Sequence, residues 1–274
     1  MNVECLDSRV VVVTGAGSGI GRETALLCAR RGARLAICDL DETALARTAA
    51  RAQSLGCEVL AQRVDVSSRE QIASFAEAVH ARCEAVDLLV NNAGVAVVAR
   101  FLETTFEDWD RLVAINLMGV VHGCAAFVPA MVARGLGGHV VNVSSVAGFH
   151  ANPALVAYSA TKFAVLGLSE AMRDELRVDR IGVTAVCPGV VNTGISRTSP
   201  VRGPEAERRR AHLVGVYERR AYGPDKVAQR ILRAVQRDRA VAPITPEAHA
   251  LYVLTHAAPP LARWAGRKLA QTAR

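Results

Sequence analysis

Aromatic residues are scarce in this chain of 274 residues: Phe, Trp and Tyr together make up 4%. A core with few rings must be built from Ala, Val, Leu and Ile. With 51% hydrophobic and 22% charged residues, that aliphatic content excludes a disordered chain. No apolar run is expected to approach the ~18 residues of a membrane span. Residues 1–9 carry Glu4 and Asp7 and lack the basic-then-apolar pattern of a signal peptide, so a cytoplasmic location is expected. At ~150 residues per domain the length falls just short of two units, but one α/β domain also reaches this size.

Paired metal ligands are missing too. The seven cysteines (Cys5, Cys28, Cys38, Cys57, Cys83, Cys124 and Cys187) form no CxxC pair, and the seven histidines form no HExxH. Reduced, mostly buried thiols and no metal site are expected.

Lysine is the scarcest charged residue, with 3 against 30 arginines. The net charge of +7 is uneven: residues 1–190 hold 17 basic and 20 acidic residues, and residues 191–274 hold 16 and 6. A basic C-terminal third can serve nucleic acid or anionic lipid, but it has little aromatic interleaving and no nucleic-acid motif. A solvated basic face is preferred, and no nucleic-acid partner is expected.

Short apolar runs alternate with stretches of helical period. Strands are expected at 9–14, 34–39, 58–64, 87–91, 138–144 and 181–187, with a weaker one at 240–244. Helices are expected near 19–31, 41–55, 69–82, 107–134, 157–178 and 225–237. Near-continuous apolar strands separated by helices imply an α/β fold with a doubly wound parallel sheet, buried on both faces. Residues 194–223 are rich in Arg, Gly, Pro and Ser and read as an excursion that could cover a site. A catalytic domain over 1–244, including this lid, and a basic amphipathic extension over 245–274 follow. The extension mixes Leu261, Trp264 and Leu269 with Arg263, Arg267 and Lys268. Packing on its own domain is preferred over a partner subunit or peripheral membrane contact.

Thr14-Gly15-Ala16-Gly17-Ser18-Gly19-Ile20-Gly21 follows the first strand and opens a helix. Glycines there let backbone approach a pyrophosphate, and the helix N-terminus offers unpaired N–H groups. Asp39 ends the second strand, 18 residues after Gly21. A carboxylate there accepts hydrogen bonds from ribose hydroxyls and repels a 2′-phosphate, which favours NAD over NADP. Arg22 and Arg34 weigh the other way.

Lys162 is the single lysine before position 226, and Tyr158 stands four residues upstream. On a helix the two share a face. An ammonium there stabilises a phenolate, which suits Tyr158 to general acid/base work. On spacing alone, a half-buried Tyr beside a snorkelling Lys is the preferred reading.

Thr14–Gly21, Asn91-Asn92-Ala93-Gly94, Asn116, Ser145, Tyr158-Ser159-Ala160-Thr161-Lys162 and Pro188-Gly189 occur in this order. In this the chain resembles the short-chain dehydrogenase/reductase family. The resemblance implies a Rossmann-type sheet of about seven strands with helices on both faces and the nucleotide at the strand C-termini. It implies catalytic roles for Asn116, Ser145, Tyr158 and Lys162. Ser145 would steady the substrate oxygen, Tyr158 would exchange its proton, and Lys162 would hold nicotinamide ribose and tune Tyr158. Asn116 would hold a water linking Lys162 to solvent. The dinucleotide contacts implied are Gly15, Ser18, Gly19, Ile20, Gly21, Asp39, Asp65, Val66, Asn92, Ala93, Gly94, Pro188, Gly189, Val191 and Thr193, besides Tyr158 and Lys162.

The loop 146–157 between Ser145 and Tyr158 is mostly apolar, so a neutral, fairly hydrophobic secondary alcohol or ketone is expected as substrate. Arg197, Arg202, Arg208, Arg209 and Arg210 in the lid would favour an anionic one if they pointed inward. An NADPH-dependent carbonyl reductase and a non-catalytic nucleotide-binding regulator are the alternatives. The resemblance further implies a homodimer or homotetramer, since the helices expected at 107–134 and 157–178 match those that form the family's main contacts.

Overall fold

A computed structural model describes residues 2–220 and 222–261, and within them not the side chains of 196, 197, 212, 213 and 216–220. The chain alternates β1 (Val10–Thr14), α1 (Gly19–Arg30), β2 (Arg34–Asp39), α2 (Glu42–Gln53), β3 (Val59–Arg63), α3 (Arg69–His80) and β4 (Leu88–Asn91). Then follow α4 (Phe106–Leu112), α5 (Gly119–Arg134), β5 (Gly138–Val143), α6 (Val156–Glu175) and β6 (Ile181–Cys187). The C-terminal part holds α7 (Ile195–Thr198), α8 (Ala206–Arg220), α9 (Pro224–Gln236), β7 (Val241–Pro243) and α10 (Pro246–Ala257).

The sheet has seven parallel strands in the order β3-β2-β1-β4-β5-β6-β7. Alternate strand residues point to opposite faces. Val11, Val13, Leu35, Ile37, Leu88 and Val90 join one core with residues of α1, α2 and α9. Val10, Val12, Ala36, Cys38 and Leu89 join a second with residues of α3, α5 and α6. Burying a side chain such as Ile37 or Phe127, both 0% exposed, contributes about 1.5–3 kcal/mol. The strand order reverses between β1 and β4, which opens a crevice at their C-terminal ends.

One expectation needs correction. The helical stretch Phe106–Arg134 contains an 18-residue window of mean hydropathy 1.8, long and apolar enough to span a membrane by composition. No charge falls between Arg111 and Arg134. The window is 44% buried, and Val120, Cys124, Phe127 and Met131 pack in the core on one face of the sheet.

The excursion 194–223 is not irregular: it holds α7 and α8 and is stapled at several points. Asn192 N donates to Tyr222 O at 3.0 Å, closing its base. Val98 N donates to Pro200 O and Arg202 N to Val98 O, both at 2.9 Å. Ala99 N donates to Ala154 O at 2.9 Å, so residues 98–99 tie the excursion to the loop before α6. The basic amphipathic segment beyond Leu261 lies outside the described residues.

Candidate active site

The glycines after β1 are required by their surroundings. Gly15 has φ +65°, and a Cβ on it would stand 2.8 Å from Ala93 Cα. A Cβ on Gly17 would stand 2.9 Å from Asp39 Oδ2, and one on Gly21 would collide with Gly15 O. Ser18 is the N-cap of α1 but gives no side-chain cap, and the first turn holds no acidic residue. Free N–H groups at a helix start whose first turn holds no acidic residue fit a pyrophosphate. Thr193 packs against Gly19, so the start of the lid overhangs the same turn.

Asp39 is anchored rather than loose. Oδ2 accepts from Gly17 N at 2.8 Å and Oδ1 from Asp41 N at 2.9 Å. Its carboxylate therefore faces the phosphate loop, where a ribose would lie. Asp65 Oδ1 accepts from Ser67 N and Oγ, at 2.9 and 2.6 Å, which shapes the turn after β3. Val66 is buried, and its carbonyl meets His122 Nδ1 at 3.0 Å. Ile20 packs against the core below the turn.

Thr14 Oγ1 accepts from Asn92 N and Ala93 N, at 3.0 and 3.1 Å, and Asn92 Nδ2 donates to Thr14 O and Gly15 O. The Asn-Asn-Ala-Gly turn is thus bound to the end of β1. Gly94 leaves room for its neighbours: its Cβ would lie 3.2 Å from Asn116 Oδ1 and 3.5 Å from Lys162 Nζ.

α4 and α5 are joined by a wide π turn over Val113–Met118. Such turns re-aim a side chain out of the normal helical register. Asn116, 0% exposed, uses that turn to clasp Val95: its Oδ1 accepts from Val95 N, and Nδ2 donates to Val95 O, both at 2.9 Å. Nδ2 also reaches Thr161 Oγ1 at 3.2 Å.

α6 carries Tyr158 and Lys162 on one face. Lys162 Nζ lies 5.7 Å from the Tyr158 ring centroid and donates to Val143 O at 2.9 Å. Lys162 is 3% exposed, and burial lowers its pKa to about 8. Two serines follow β5. Ser144 Oγ donates to Lys162 O at 2.8 Å, a bond that ties β5 to α6. Ser145 Oγ instead accepts from Ala147 N at 3.1 Å, which leaves its proton uncommitted by that bond. Tyr158 packs with Val95, Val97 and Trp109, an apolar wall beside the crevice.

Pro188 O accepts from Val146 N at 2.8 Å, which joins the loop after β6 to the turn after Ser145. Val191 is buried beyond it. Of the lid arginines, Arg202 pairs with Asp108 and Arg209 with Glu103, each at 2.7 Å. Arg208 meets Glu205 at 3.6 Å on the surface. Arg210 is engaged in an interaction of its own, and the side chain of Arg197 lies outside the described residues. Two features had no sequence expectation: the π turn and Glu247, whose Oε1 accepts from Val190 N at 3.2 Å. Only the N-cap pattern Thr245-Pro246-Glu247 could have marked α10.

The chain matches the family profile described as short chain dehydrogenase over residues 9–201. It belongs to the short-chain dehydrogenase/reductase family, an oxidoreductase class. A solved short-chain dehydrogenase/reductase from Burkholderia phymatum, in complex with NAD, superposes with a TM-score of 0.87 at 33% identity, covering 95% of this chain and 96% of that one. The probable oxidoreductase EphD of Mycobacterium tuberculosis is 43% identical over 263 residues, 94% of this chain. This chain spans only 44% of that relative's length. SadH of the same species, named as an oxidoreductase, is 39% identical over 90% of each chain.

Proposed function

We propose that this protein is an NAD-dependent oxidoreductase acting on a neutral, fairly hydrophobic secondary alcohol or ketone, with Tyr158 as general acid/base. What supports it above all is the ammonium of the buried Lys162 standing 5.7 Å from the Tyr158 ring centroid, at the C-terminal end of the sheet. A nicotinamide dinucleotide, when bound, supplies the hydride acceptor or donor at the substrate carbon.

The chain's own residues manage the oxygen and its proton. Tyr158 takes the hydroxyl proton during oxidation and returns it during reduction. Lys162 favours the phenolate that must form, because a cation at this distance in a poorly hydrated site stabilises it more than water would. Ser145 donates to the substrate oxygen and fixes its angle of approach. Asn116 holds the Val95 backbone, and so the wall beside Tyr158. The turn after β1, residues 92–94, Asp65-Val66, Pro188-Gly189, Val191 and Thr193 form the dinucleotide cleft. Asp39 would accept from ribose hydroxyls and repel a 2′-phosphate, hence NAD over NADP.

The apolar wall of Val95, Val97 and Trp109 favours a neutral substrate. So does the commitment of Arg202 and Arg209 to the carboxylates of Asp108 and Glu103. Residues 1–244 would be the catalytic domain, with 194–223 as lid and 245–274 as an extension. A homodimer or homotetramer through α4, α5 and α6 fits the exposure of Phe106 (85%) and Phe163 (44%). The location proposed is the cytoplasm.

The test is a panel of secondary alcohols with NAD, read by the absorbance of reduced cofactor. Turnover of neutral, apolar alcohols is expected. Failure of every alcohol and ketone with both NAD and NADP would refute the reading.

A further inference from the structure

The last helix reaches back to the site. Ile244 N donates to Cys187 O at 3.1 Å, so the end of β7 lies level with the end of β6. Thr245 then caps α10, accepting from Ala248 N at 3.4 Å, and Glu247 follows in its first turn. This turn sits directly on the loop after β6. A Cβ on Gly189 would collide with Thr245 Oγ1 and stand 2.7 Å from Glu247 Oε1. Glu247 Oε1 accepts from Val190 N at 3.2 Å. Two residues earlier in the same loop, Pro188 O holds Val146 N. One turn further along α10, Tyr252 meets Phe149 edge to face, with ring centroids 5.3 Å apart at 85°. Phe149, 5% exposed, belongs to the turn that Ser145 begins.

We propose that Glu247 is a positioning residue for the reaction. It acts by locking the backbone of residues 188–190, whose continuation carries Val191 and Thr193, the two positions that the family resemblance implies contact the nicotinamide carboxamide. The inference rests on the reading of that loop given above. Three physical facts support it. Gly189 and Val190 belong to no regular element, so an external anchor decides where they sit. A hydrogen bond to a carboxylate is stronger than one to a neutral acceptor. A carboxylate in the first turn of a helix is favoured by the helix dipole. The helix also touches the serine turn through Tyr252. One rigid element therefore sets the distance between the loop at the cofactor's reactive end and the residues that hold the substrate oxygen. Misplacement by ~1 Å of groups that orient reactants can cost on the order of a hundredfold in rate.

The experiment compares Glu247→Ala and Glu247→Gln in the full chain. Steady-state kinetics with NAD and a secondary alcohol are combined with Kd values for NADH and for ADP-ribose, which lacks the nicotinamide. Glu247→Ala is expected to lower kcat/KM by about tenfold or more. It should weaken NADH relative to ADP-ribose while the ADP-ribose Kd stays within about twofold. Glu247→Gln retains an acceptor oxygen and should recover most of the loss. Equal weakening of both ligands without recovery in Glu247→Gln, or an unchanged ratio of the two Kd values, overturns the role. If the wild type turns over no alcohol but the Kd ratio shifts as expected, the positioning role stands and the oxidoreductase reading fails. If turnover depends on Tyr158 but the ratio does not shift in Glu247→Ala, the reaction stands and Glu247 has no part in it.

Discussion

Gly17 N donates to Asp39 Oδ2 at 2.8 Å, so the acidic residue at the end of β2 is bound to the backbone of the phosphate turn. The bond fixes a negative charge where the ribose of a dinucleotide would lie. Asp39→Asn keeps an acceptor for Gly17 N and removes the charge. It is expected to raise kcat/KM for NADP relative to NAD by about tenfold or more, since a like-charge clash costs several kcal/mol. Comparison of the two cofactors in both proteins checks this. An unchanged ratio would take the ribose role from Asp39.

The two serines after β5 should separate cleanly. Ser145→Ala is expected to lower kcat by about 100-fold with little change in Tm, because the lost hydroxyl acts on the substrate oxygen. Ser144→Ala removes the bond to Lys162 O and should instead lower stability by about 1 kcal/mol. Kinetics paired with thermal unfolding of both variants decide the matter. A larger kinetic loss in Ser144→Ala would reverse the assignment.

The lid is held by two unequal clasps. Asp108 is 3% exposed and accepts from Arg202 Nε and Nη2, at 2.9 and 2.7 Å. Arg202→Ala strands a buried carboxylate, whereas Arg209→Ala leaves Glu103 nearer to solvent. Arg202→Ala is therefore expected to lose more stability and to open the lid to protease more readily. The paired arginines hold both carboxyls below their ordinary range. The clasps contribute stability above the unfolded carboxylate pKa of about 4 and lose it as pH falls through the lower folded values. Limited proteolysis at falling pH should cut the lid first.

His139 is buried against Thr184, and burial lowers its pKa to about 4. Between that value and the unfolded pKa of ~6.5 the unfolded chain binds a proton that the folded one does not. Stability should thus fall with acidification across this window, by as much as about 3 kcal/mol. His139→Gln keeps a polar contact and should flatten the slope in denaturant titrations between pH 4 and 6.5. An identical slope in wild type and variant would contradict this.

The parallel sheet was legible because its inner strands β1, β4, β5 and β6 are buried on both faces and so read as nearly unbroken apolar runs. β2 and β6 fall at the expected residues, β1, β4 and β5 differ by one residue at one end, and β3 and β7 are shorter by one residue at each end. The π turn was not legible, since nothing local to residues 113–118 demands it; it arises where Asn116 must meet Val95. The excursion 194–223 hid α8 because its charges cluster at both ends of the helix and it lacks an apolar stripe that would announce a period. Glu247 was invisible for another reason. Its contact with Val190 spans 57 residues, and no short motif encodes such a pair. Asn116 was found from the motif, while the clasp of its side chain on Val95 was not, because that pair is 21 residues apart.

The most direct measurement is a comparison of wild type and Tyr158→Phe in a single turnover with NAD and an accepted alcohol, with NADH affinity measured on the same samples. Loss of turnover by about 1000-fold or more, with NADH bound as tightly as before, is the result expected when the phenolic oxygen alone carries the proton. Turnover within a few-fold of wild type, with the cofactor still bound, would contradict the account.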